Sequence, residues 1–128
     1  MKLSLGVYAP PSSPAAYNAY RFAQAVTESS NEIYKIFFYF DGVYNGNSLA
    51  TPPSDEVNLP EAWAELANNH QVELCVCIAA GIRRGILDAD EATRNHKHCA
   101  NLNDKFQIVG LGQLLDAAVK SDRFVTFG

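Results

Sequence analysis

The segment Ile33–Phe40, Ile-Tyr-Lys-Ile-Phe-Phe-Tyr-Phe, constrains the fold more than any other. It is rich in β-branched and aromatic residues, which favour strands. Its alternating faces are both apolar, with Ile36 and Phe38 on one and Phe37 and Tyr39 on the other. A strand buried on both faces needs cover above and below, which is the usual setting of a parallel sheet between helices. Leu3–Tyr8, Val72–Ala80, Phe106–Val109 and Arg123–Phe127 read as further strands.

Helical patterns separate these runs. Ser13 supplies a hydroxyl cap and Pro14 takes a position where its missing N–H costs nothing. Ala15, Ala19, Phe22, Ala23 and Val26 then follow at helical spacing, and the helix should end near Ser29-Ser30-Asn31. Asn58, with Glu61 three residues on and Pro60 between them, marks a second helix start with an apolar face of Leu59, Ala62, Trp63, Leu66 and Ala67. Asp88–Asn95 reads as a short helix, and Leu111, Leu114, Leu115, Ala118 and Val119 mark the last. The order β-α-β-α-β-(α)-β-α-β predicts a single α/β domain over residues 1–128, with a mostly parallel five-stranded sheet between helix layers.

Composition narrows the function classes. Apolar residues make up 48% and charged residues 19%, as in folded soluble chains. The net charge is -4. Arg83-Arg84 is the only adjacent basic pair, too little to track a nucleic-acid backbone. No run approaches the ~20 apolar residues of a membrane span. Met1–Tyr8 is too short an apolar stretch for a secretory signal. The three cysteines, Cys75, Cys77 and Cys99, are too few and odd in number for a disulfide framework, so a cytoplasmic location is expected.

Reactive groups in open parallel sheets collect beyond the carboxyl ends of the strands. Four segments are expected there: Ala9–Ser13, the long polar stretch Asp41–Asn58, Ala79–Gly85 and Gly110–Gly112. Cys77 lies near the carboxyl end of the third strand, the best position in the chain for a nucleophile. The attacking species of a cysteine is its thiolate, and Arg83 and Arg84 follow in the next loop as candidate support. The plainer reading is an inert buried cysteine. Cys75 shares the face of Cys77 and reads as a small core residue. A Cys-x-Cys pair on a flat strand is poorly shaped for a disulfide.

His96, His98 and Cys99 are close in sequence, with His70 as a distant fourth candidate, but a zinc site needs fixed, converging ligands. A solvated polar loop is the expected state, with no metal. Asp41, Asp55 and Glu56 read as caps or loop charges, with acid–base work as the alternative. Tyr8 and Tyr44 are candidates to line a cleft. No P-loop, G-x-G-x-x-G after the first strand, or G-x-S-x-G elbow is present. The three prolines after the first strand remove backbone donors that a flavin phosphate would need.

Several segments together resemble one family. They are Ala19-Tyr20-Arg21-Phe22-Ala23-Gln24-Ala25, Phe37–Asn45, Thr51–Glu56, Trp63, Cys77-Ile78-Ala79-Ala80-Gly81-Ile82-Arg83-Arg84-Gly85-Ile86, Gly110–Leu114 and Asp122-Arg123. The chain resembles the TusD/DsrE sulfurtransferase family over essentially its full length, and Tyr44-Asn45-Gly46-Asn47 looks nearer the TusD branch. The resemblance implies a flavodoxin-like three-layer fold. It implies that Cys77 accepts sulfane sulfur as a persulfide from a TusA-like donor and passes it to a TusE/DsrC-like acceptor, without a cofactor. It further implies TusB-like and TusC-like partner subunits in a dimer of heterotrimers. The sulfur would end in 2-thiouridine at a tRNA wobble position, or, in the DsrE branch, serve dissimilatory sulfur oxidation. A non-catalytic scaffold subunit is the other alternative. Partner contacts call for exposed apolar surface, expected on the Trp63 helix.

Overall fold

The doubly apolar strand lies at the centre of the sheet. The computed structural model describes residues 1–128, and its five strands are all parallel in the order β4-β3-β2-β1-β5. They are β1 (Lys2–Val7), β2 (Glu32–Phe38), β3 (Glu73–Cys77), β4 (Phe106–Val109) and β5 (Arg123–Phe127). Helices α1 (Pro14–Thr27), α2 (Leu59–His70), α3 (Ile78–Arg83), α4 (Ala89–Arg94) and α5 (Gly112–Lys120) connect them. The result is the three-layer α/β arrangement that the alternation predicts. Flavodoxin itself runs 2-1-3-4-5; here the chain steps outward from β1 to β4 and then returns to place β5 beside β1. No helix is long and apolar enough to cross a membrane.

The two sheet faces differ in chemistry. Toward α1 and α2, Leu5, Val7, Ile36, Phe38, Leu74 and Val76 are fully or almost fully buried. Small residues of α1 (Ala16, Ala19, Ala23) let that helix lie close to the sheet. Trp63 of α2 packs edge-on against Phe38 and Tyr20, each with ring centroids 5.3 Å apart. Both predicted caps form: Ser13 Oγ accepts from the Ala15 N–H, and Asn58 Oδ1 accepts from the Glu61 N–H. The side chain of Glu61 makes no return bond, so only half of the capping box exists.

The opposite face is more polar and carries only α5. There Lys35 is 2% exposed, and its Nζ lies 2.9 Å from Asp116 Oδ2 of α5 and 3.5 Å from Glu73 Oε2 of β3. It also donates to Gln113 Oε1. Burial alone would lower the Lys35 ammonium. The Asp116 hydrogen bond and the Glu73 charge outweigh it and hold the group above its ordinary value.

Three boundaries depart from the sequence reading. β2 ends at Phe38, because Phe40 takes a left-handed φ of 49° that no strand continues through. The start of the expected polar loop is a 3-10 segment, Phe40–Gly46, with Val43 and Asn45 fully buried. The cause is two long-range bonds and a local one: Asn45 Nδ2 donates to the Ala9 carbonyl and to the nearby Gly42 carbonyl, and its Oδ1 accepts from Trp63 Nε1. Gly42 makes the close approach feasible, since a Cβ there would lie 1.9 Å from the Val7 carbonyl oxygen. Finally, β3 stops at Cys77, and Ile78-Ala79-Ala80 opens a helix instead of extending the strand. A short apolar run is compatible with either state, and sequence periodicity does not separate them.

Candidate functional site

Cys77 is both the last residue of β3 and the residue that caps α3, with no intervening loop. Its φ and ψ of -62° and 123° remain extended, so its side chain keeps the strand alternation and shares the face of Cys75. Beside it, β4 contributes Val109, its registered partner. On the other side Phe38 pairs with Val76, so Tyr39 and Cys77 follow their strands' last registered pair side by side. The sulfur makes no capping hydrogen bond, and Cys77 is only 1% exposed.

An aromatic ledge adjoins this corner. Tyr39 and Phe40 stack at 4.1 Å with an interplanar angle of 4°, and Tyr8 meets both rings edge-on. Phe37, the registered neighbour of Cys75, packs edge-on beneath Tyr39. Burial and the neighbouring Tyr39 push the Tyr8 phenol above its ordinary value. Phe40 is 50% exposed despite its size.

Arg83 is exposed at the far end of α3, six residues or about 9 Å of helix rise from Cys77. Arg84 donates from Nε to Asp41 Oδ1 at 2.8 Å and from NH1 to the Ala80 carbonyl at 3.2 Å. The Arg84 guanidinium is therefore committed to tying α3 to the 3-10 segment. Adjacency in sequence suggests thiolate support from either arginine; the contacts that the structure shows for Arg84 are to Asp41 and to the Ala80 carbonyl.

The remaining candidates separate. Cys75 is fully buried, and burial first, then the Glu73 charge, push its thiol up to about 12, with Lys35 opposing. It is a neutral core thiol at physiological pH. Cys99 is exposed and lines a cavity of about 260 Å³ with His98, Ile82 and Gly85. No three His, Cys, Asp or Glu side chains converge there or elsewhere. The largest cavity, about 470 Å³, lies among Pro10, Pro11, Tyr44, Pro52 and Glu56, and Cys77 is not part of its wall. Glu56 is its sole carboxylate, whereas Asp41 is paired with Arg84, so no acid–base pair assembles. Tyr8 belongs to the ledge and Tyr44 to this cavity.

Trp63 is fully buried, so its helix is not the exposed apolar face. That face is on α5: Leu111, Leu115 and Val119 are 48%, 66% and 73% exposed. They recur every four residues, while Gln113 and Asp116 turn inward to Lys35. The hydrophobic spacing was visible in the sequence; its outward direction was not, because Lys35 gives the polar side of α5 a partner inside.

A parallel α/β sheet with a buried thiol ending an interior strand makes this a thiol-bearing α/β domain. The chain belongs to the DsrE/DsrF-like family, whose model matches residues 1–127. It is 49% identical over 114 residues to the DsrE protein of Allochromatium vinosum, covering 89% of this chain and 88% of that one. It is 44% identical over 128 residues to the sulfurtransferase TusD homolog of Pseudomonas aeruginosa, covering 100% and 98%. The sulfurtransferase TusD of Photorhabdus laumondii is 44% identical over 112 residues, covering 88% and 86%. Among solved structures, the ychN protein from E. coli superposes with a TM-score of 0.77 at 23% identity, over 98% of this chain and 97% of that one. That last likeness concerns the fold.

Proposed function

We propose that the protein is a sulfurtransferase that carries sulfane sulfur as a persulfide on Cys77. The observation that carries this reading is the place of Cys77: a thiol at the carboxyl end of a parallel strand, capping a helix, in a family whose relatives are named sulfurtransferases. The Cys77 thiolate attacks the outer sulfur of a donor R–S–SH. A bond forms between Cys77 Sγ and that sulfur, the donor's S–S bond breaks, and R–S⁻ leaves. An acceptor thiolate then attacks the terminal sulfur of Cys77–S–SH, taking it and restoring the Cys77 thiolate. Both steps are thiol exchange and need no oxidant.

The donor in this reading is a TusA-like protein, the acceptor a TusE/DsrC-like protein, and the neighbours TusB-like and TusC-like subunits. The outward apolar stripe of α5 supports such subunit contacts, since an uncovered stripe of this kind is a common mark of an interface. The destination is 2-thiouridine at the tRNA wobble position. Similar identity to DsrE and TusD relatives keeps sulfur oxidation as the second destination. Incubation with a persulfide donor, followed by intact-mass measurement, tests the chemistry. The wild type should gain sulfur, and Cys77→Ser should not. Undiminished sulfur gain by the variant would refute the assignment.

A further inference from the structure

Cys77 is 1% exposed, yet the proposed exchange requires another thiol to reach it in line. Something at this corner must therefore yield. The candidates on the same face are the ledge rings, and one of them has an unusual backbone. Phe40 holds φ at 49°, a region that a bulky side chain occupies only when its surroundings enforce it. Two features enforce it. The preceding residue, Tyr39, lies flat against its ring. The following residue, Asp41, is clasped by Arg84 across the carboxyl ends of β2 and β3. Behind them, Asn45 and Gly42 anchor the rest of the 3-10 segment to Ala9, Trp63 and Val7. Phe40 and Asp41, by contrast, are half-exposed or more.

We propose that Phe40 is the access-determining residue of the Cys77 site. Held on Tyr39 by the Asp41–Arg84 clasp, its ring closes the approach to the sulfur against small thiols and electrophiles. The ring yields when a protein-borne persulfide or thiol docks with enough apolar contact to displace it from Tyr39. The site then selects sulfur carried on a polypeptide over sulfur carried on a small molecule. This rests on the proposed role of Cys77, but its test does not depend on that role.

The three cysteines provide their own controls. Each is followed by peptide mass spectrometry during alkylation with iodoacetamide. Phe40→Gly removes the ring while allowing the same backbone conformation without strain. It should raise the Cys77 rate by about tenfold, the effect of a tenfold shift in an open–closed balance. Cys99 should keep its fast rate and Cys75 its protection. Asp41→Asn, which leaves every ring in place, should raise the Cys77 rate in the same direction by a smaller factor. An unchanged Cys77 rate in both variants overturns the proposal, as does acceleration only alongside labelling of Cys75, which reports general loosening. Sulfur uptake by the wild type from a protein donor is read separately, so failure of the gate and failure of the carrier role give different patterns.

Discussion

Arg84 Nε lies 2.8 Å from Asp41 Oδ1, and this pair joins the end of α3 to the segment that follows β2. It spans the sheet edge from which Cys77 emerges. The pair is exposed on the Asp41 side, and exposed ion pairs contribute about 0–1 kcal/mol. Arg84→Gln should therefore leave the urea midpoint almost unchanged. A loss well above ~1 kcal/mol would mean that the pair is a structural strut and not a surface clasp.

Asn45 and Trp63 form the buried polar link beneath that edge. Trp63→Phe removes the N–H that Asn45 Oδ1 accepts, leaving a buried acceptor unpaired at a cost of about 1–3 kcal/mol. Trp63→Ala adds the lost burial of a large ring and should cost about 3–5 kcal/mol. Equilibrium unfolding of the two variants should rank in that order.

Much of this was legible in the sequence. The doubly apolar Ile33–Phe40 run led to the central strand of a parallel sheet, and Ser13-Pro14 and Asn58 marked both helix starts within a residue. What was hidden depended on distant partners. Nothing local to Asp41–Gly46 reveals that Asn45 will meet Trp63. Nothing local to Arg83-Arg84 reveals that one guanidinium will be claimed by Asp41. The end of β3 at Cys77 was missed because Ile78-Ala79-Ala80 suits a buried helix start as well as a strand. The outward face of α5 was missed because its inward anchor is a buried lysine from β2.

Titration should report the polar face. Cys75 has its folded thiol raised from 9.0 to about 12, so its contribution to stability is complete below pH 9 and is lost as the pH climbs toward 12. Lys35 is also raised, so its contribution is likewise present below the ordinary lysine range and lost above it. Asp116 is held below the usual carboxylate range, so its contribution persists through mild acid and disappears only as the pH falls through that depressed value. The alkaline limb of a stability–pH curve should therefore fall above pH 9. Cys75→Ala should shift that limb upward, and an unchanged limb would contradict the burial argument.

The α5 stripe should behave as a docking face. Leu115→Asp places a charge on a side chain that is 66% exposed, so the isolated chain should keep its stability within about 0.5 kcal/mol, as for ordinary surface changes. Co-purification with TusB-like and TusC-like subunits should be lost. Retained assembly, measured by native mass spectrometry, would move the subunit contact to another face.

In the proposed relay, sulfur rides on Cys77 and on neither of the other cysteines. The direct measurement is peptide mass spectrometry after loading with a protein persulfide donor and brief chase with an acceptor thiol. One added sulfur is expected on the Cys77 peptide, with its loss during the chase, and no such cycle on Cys75 or Cys99. Persulfide that accumulates and discharges on Cys99, with Cys77 unmodified, would contradict it.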